Sequence, residues 1–163
     1  MSKPVQDILA TLQQLLAEHR KLLAQTEIHQ QAMRTLDLTG MDESARLQDA
    51  IRARITSLDA RRRLQTAVLA KSHKWTGELT LLQIAELYPA ERNNLLVIRD
   101  DLRRVAQATQ DRTHVAGRLA GALLGHLNVA VRALAGAVEQ AGVYTKQGIP
   151  RVSSRIGAIE AVG

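Results

Sequence analysis

The chain has 163 residues, no cysteine and a formal net charge of +6. That length suits one domain with a real core, and the missing cysteine excludes disulfides, thiol catalysis and Cys-ligated zinc while fitting a reducing compartment. With no Phe, one Trp, two Tyr and only three prolines, the core must be aliphatic and helix breakers are rare, so composition predicts an all-α protein.

The N-terminus, MSKPVQDILATLQQ, carries Asp7 and glutamines where a signal peptide needs an unbroken apolar run. The longest uncharged run is 13 residues, Leu119 to Val131, and includes His126 and Asn128. No segment is then expected to span a bilayer, and the sequence reads as a soluble cytoplasmic protein without stable membrane insertion.

Val5, Ile8, Leu12, Leu15, His19, Leu22, Thr26, His29, Met33 and Leu36 alternate spacings of three and four, the pattern of a helix packed along its whole length. A second stripe, Leu9, Leu16 and Leu23, widens the buried face and asks for two neighbouring helices. Asp37 to Glu43 reads as a break, with Thr39 and Asp42 resembling a capping box. A second, antiparallel helix then runs to about Ser72, with Leu47, Ile51, Ile55, Leu58, Leu64 and Val68 as its apolar positions.

Ser72 to Thr80 is a loop, with Trp75 expected over the end of the bundle. Thr80 and Gln83 form a capping box for a short helix, LLQIAELY, that Pro89 ends, although Pro89 also suits the first turn of the next helix. The last helix runs from Ala90 to Ala141, narrowly apolar at first and broadly so after residue 116. Gly117, Gly121 and Gly125 repeat every four residues there, each costing about 1 kcal/mol relative to Ala, which predicts close approach of another helix, from this chain or from a partner.

No two of the five histidines stand three or four residues apart, and Asp111 with His114 is a lone Asp-x-x-His, so no metal set is visible. Phosphate-binding loops and nucleophile elbows are also missing, and the sequence predicts no catalytic, metal or cofactor site. Arg52, Arg54 and Arg61 to Arg63 leave a basic coiled-coil, nucleic-acid-binding protein as the alternative, or else a structural helical bundle. Consecutive arginines fan out around a helix, however, which favours a solvated face and no nucleic-acid partner.

Several stretches together carry a family resemblance: LLAEHRKLLA, LDARRR, LTLLQIAELYPAERNNLLVIRDDLRRV and the Tyr-x-x-x-Gly of AGVYTKQG. In this order they resemble the FlgN-type flagellar export chaperones over residues 10 to 148. The resemblance implies a helical cytoplasmic protein that holds the hook-filament junction subunits, the first and third hook-associated proteins, by their C-terminal helical segment. It also implies delivery to the type III export apparatus, with Tyr144 as a contact for the export gate and Gly148 as the other matching position.

Together these readings predict an elongated antiparallel bundle of three long helices plus one short one over residues 1–142, followed by a tail over residues 143–163. Ile149, Val152, Ile156, Ile159 and Val162 give that tail one apolar face, suited to folding on binding or to loosely covering a groove. The surplus apolar width of the last helix nominates Leu119, Leu123, Leu127, Val131, Leu134 and Val138 as the client contact. Homodimerisation is left open.

Overall fold

A computed structural model describes residues 3–142, with side chains as far as residue 137. Among the described residues there are four helices and no strand: α1 (Lys3–Thr35), α2 (Leu38–Ser72), α3 (Leu81–Leu87) and α4 (Arg92–Gly142). The all-α reading, with three long helices and one short, is what the chain adopts. Packing divides it into two units, Met1–Ala120 and Gly121–Gly163. The expected tail, 143–163, lies outside the described residues.

In the first unit, α1 and α2 run antiparallel: the Gln65 side chain bonds the Asp7 carbonyl near one end, and Gln48 bonds the Gln25 carbonyl nearer the other. The first part of α4 runs parallel to α1, since Arg20 pairs with Asp101 at 3.6 Å and Glu27 with Arg112 at 3.4 Å. These exposed ion pairs contribute little, at most about 1 kcal/mol each. The holding force is apolar burial.

The predicted α1 seam is buried at Val5, Ile8, Leu12, Leu15 and Leu22, with His19 half-buried among them and Leu9 and Leu16 closing the second edge. Leu69 and Ala70 of α2, Ile84 and Ala85 of α3, and Leu95 and Ile98 of α4 complete this core. Toward the other end the seam turns polar. Thr26 Oγ1 donates to the Leu22 carbonyl at 2.8 Å, His29 Nδ1 meets Ser44 Oγ at 2.7 Å, and the Gln30 amide donates to the Arg112 carbonyl. Paired buried polar groups fix register with little net stabilisation.

The short connection after α1 departs from expectation. Leu36 takes a left-handed φ of 56°, and the Asp37 amide reaches back to the Ala32 carbonyl at 2.9 Å, a Schellman ending. Asp37 itself is the N-cap of α2, accepting from the Gly40 amide at 3.0 Å, so the Thr39–Asp42 box does not form and Leu38 to Glu43 are already helical. A Cβ on Gly40 would meet the Asp37 carboxylate as it stands, so a side chain there would require the cap to shift.

The inward face of α2 is the predicted one only at Ile51, Ile55 and Leu58. Ser44, Gln48, Ile51 and Leu69 are buried, with Ile55, Leu58, Arg62 and Gln65 half-buried between them, again at alternating four and three. Leu47, Leu64 and Val68 stand outside this seam and are exposed. At the end of the bundle, Trp75 stays 40 % exposed, while Leu79, Ile84 and Ala85 form the plug. The Thr80–Gln83 capping box forms as predicted, with the Thr80 amide donating to Gln83 Oε1 at 2.8 Å. Pro89 falls in the turn between α3 and α4.

Candidate functional site

Cover along α4 decreases in chain order. Leu95 and Ile98 are buried, and Leu102, Val105, Thr109, Ala116 and Leu119 are half-buried. The Gln30–Arg112 bond sets the register of α1 against α4, and α1 ends only five residues after Gln30.

In the second unit no described side chain of α4 is buried. Leu123 is half-buried, whereas Leu127, Val131 and Leu134 are between 60 % and 67 % exposed. Leu119 belongs to the first unit, the side chain of Val138 is not described, and Tyr144 and Gly148 lie outside the described residues. The nominated positions therefore form an exposed apolar stripe at their centre and a half-covered one at their N-terminal end. Leu124, equally exposed and three residues before Leu127, belongs to the same face but was not among the nominated positions. Its spacing from Leu127, Val131 and Leu134 is the signal that identifies it.

The glycines meet no helix of this chain among the described residues, which leaves a partner as the source of the close approach. A Cβ on Gly117, Gly121 or Gly125 would meet nothing within 4 Å, so no described part of the chain approaches them. Alpha-helical periodicity turns Gly121 and Gly125 away from the leucine stripe, which explains why a crowded stripe does not require them. The bilayer expectation rested on a narrower count than helix length and composition allow. It counted only unbroken uncharged residues, whereas α4, with a charge tolerated, is by length and composition long and apolar enough to cross a membrane, and the apolar stretch is unburied.

The first unit carries three open clefts, none lined by a residue beyond Ala120. The largest, about 690 Å³, lies between α1, α2 and α4, with Leu12, Leu15, Ile55 and Leu102 as its apolar wall. His19 and Asp59 supply polar groups. Burial lowers the His19 pKa against an upward pull from Asp59, and its Nδ1 is enclosed without a hydrogen-bond partner among the described residues. Burial pushes the Asp59 carboxyl up, but the hydrogen bonds and charges of Arg62 and then Arg63 outweigh it and hold the pKa below the ordinary value. Nothing here pairs a nucleophile with a base, and among the described residues no three His, Asp or Glu side chains converge as a metal site requires.

The arginine cluster is largely occupied: Arg52 pairs with Asp49 at 3.0 Å, while Arg62 and Arg63 share Asp59 at 2.8 and 2.9 Å. A phosphate backbone would have to compete with those carboxylates. Among the described residues the feature that stands out is an apolar helix face left exposed. The FlgN protein family matches residues 1–151, whereas no curated protein and no solved structure matches the chain. Because that match spans all three helices of the first unit's bundle, the capping α3 and the helix bearing the bare stripe, the chain belongs to the FlgN family of flagellar export chaperones.

Proposed function

We propose that this chaperone works in the cytoplasm without catalysis, holding the C-terminal helical segment of a hook-filament junction protein and delivering it to the type III export apparatus. One observation carries the reading: Leu127, Val131 and Leu134 sit at helical spacing on α4 with most of their surface in water. A contiguous apolar face of this kind marks an interaction site in a soluble protein. The client helix would complete a two-stranded seam along Leu123, Leu127, Val131 and Leu134, with Leu119 and Val138 continuing the same spacing at its ends. Because the clefts lie elsewhere, this is helix pairing along a stripe instead of insertion into a preformed groove.

The test is titration of a purified junction-protein C-terminal segment into wild type and into the double variant Leu127→Asp with Leu134→Asp. Removing two central apolar anchors should weaken binding on the order of 100-fold, with helicity unchanged because neither side chain is buried. Unchanged affinity in a folded double variant would reject the stripe as the client contact. Tyr144→Ala should leave the titration unaltered while lowering export in cells, and equal loss of both would make that residue structural.

A further inference from the structure

We propose that the furrow between α2 and the first part of α4, floored by α1, receives an acidic amphipathic helix of a partner protein. The furrow lies within the first unit, and the proposal does not rest on the client reading. Two ion pairs and the Gln30–Arg112 bond tie α4 to α1, whereas among the described residues no hydrogen bond or ion pair joins α4 to α2. The gap between those two helices is incompletely covered: Ile55 and Leu102, on its opposite walls, are only half-buried.

Two clefts follow one another along this gap. The first, about 690 Å³, lies between Ile55–Arg63 of α2 and Leu102–Ala106 of α4, over Leu12, Leu15 and His19 of α1. The second, about 290 Å³, lies between Ala45–Arg52 and Thr113–Ala120, over Thr26, His29 and Met33. Each wall, residues 45–63 on α2 and 102–120 on α4, runs about 27 Å at 1.5 Å per residue, the length of about five turns of an incoming helix. A wall of that length suits a helix better than a compact ligand. The second cleft is lined by Ala45, Ala116, Gly117 and Ala120, and a Cβ on Gly117 would meet nothing within 4 Å, which leaves room for a helix backbone to come close.

Charge complementarity selects the occupant. The first cleft is lined by Arg62, Arg63 and Arg103 against Asp59 as its one carboxylate, an excess of two fixed positive charges. Asp59 already takes Arg62 and Arg63, whereas Arg103 has no ion-pair or hydrogen-bond partner among the described residues. In the second cleft Arg52 is balanced by Asp49 at 3.0 Å. The occupant therefore carries leucine-like side chains over Leu12, Leu15, Ile55 and Leu102, flanked by carboxylates within reach of Arg103. A nucleic-acid backbone would satisfy the arginine but leave that apolar wall bare.

The experiment titrates two labelled synthetic peptides of about 18 residues, long enough for five helical turns. Both place leucines at three- and four-residue spacing, flanked by glutamates in one and by lysines in the other. The protein is the full chain carrying Leu127→Asp and Leu134→Asp, so that the α4 stripe contributes nothing. The glutamate peptide should bind on the order of tenfold or more tightly than the lysine peptide, by a margin that shrinks as salt is raised. Arg103→Glu should invert that preference, and Ala106→Trp, which fills the first cleft from an exposed position, should block binding. Circular dichroism checks that both variants keep their helices, and if Ala106→Trp misfolds the Arg103→Glu inversion decides alone. No charge preference, binding that survives a folded Ala106→Trp, or no binding at all overturns the proposal. A dimer in solution that Ala106→Trp dissociates would assign the furrow to a second copy and overturn it equally. Because the client titration compares wild type with the stripe variant, and this one compares changes made within that variant, either reading can fail while the other stands.

Discussion

Leu12 on α1 and Leu127 on α4 belong to the same kind of pattern, leucines and valines repeating at three and four along a helix. Leu12 is 1 % exposed and Leu127 is 60 % exposed. Periodicity identifies a face that prefers to leave water; it does not identify what covers that face. Around Leu12 the cover is supplied by α2, α3 and the start of α4. Among the second unit's described side chains nothing is buried, and the same pattern is left facing water, which is why we propose it as the client contact.

The comparison predicts a large asymmetry in stability. Leu12→Ala empties a site inside the core and should cost about 3 kcal/mol. Leu127→Ala, which removes a side chain already mostly in water, should stay within about 0.5 kcal/mol of wild type. Denaturant unfolding of the two variants measures both. Comparable costs would mean that the stripe is covered in solution, by the chain's own tail or by a second copy.

The first of these regions was the more legible. The α1 seam and the Thr80–Gln83 box could be read directly, because Leu and Ile at strict spacing and a Thr-x-x-Gln start are local signals that tertiary packing had no reason to override. The inward face of α2 was read correctly at Ile51, Ile55 and Leu58 and misread at its two ends, because Ser44, Gln48, Arg62 and Gln65 occupy seam positions while Leu47, Leu64 and Val68 lie outside. A polar seam satisfied by His29 and by backbone carbonyls has no hydrophobic signature. Gly40 suggested a loop, yet its backbone amide is the donor that Asp37 caps at the start of the helix. At the candidate site the stripe and its surplus apolar width were legible, while the point along α4 at which cover gives way was not, since that depends on where neighbouring helices end.

The hairpin tip, where α1 ends and α2 begins, is the next place to probe. Asp37→Ala removes the acceptor for the Gly40 amide and should cost about 1 kcal/mol in the same assay. Because the tip lies in the first unit, the loss should leave client affinity unchanged. A joint loss would couple the tip to the stripe.

The glycines test the bare region from its other side. With nothing within 4 Å, Gly121→Ala and Gly125→Ala should each stabilise α4 by a little under about 1 kcal/mol, seen as increased helicity and slower amide exchange. If a partner helix approaches this face closely, the same variants will weaken that complex while strengthening the free helix. Opposite signs in the two measurements would locate the partner.

The smallest effect returns to the covered region and is one of pH. His19 has its pKa lowered, first by burial and despite the pull of Asp59, so the folded protein resists a proton that the unfolded chain accepts near 6.5. Between the depressed folded value and about 6.5 the unfolded state binds more protons, and stability therefore rises with pH across that window and levels off above it. Asp59 acts lower on the scale. Its carboxyl is held below its ordinary 3.8, so the stability it contributes is present above that value and is lost as pH falls through the folded one. Unfolding midpoints measured from pH 7 downward should show the first decline in wild type, and His19→Gln, which cannot titrate, should flatten it while leaving the more acidic decline in place. If His19→Gln reproduces the wild-type profile, the enclosed ring is already accessible to protons, and the cleft beside Leu12 and Leu15 opens more readily than its apolar wall implies.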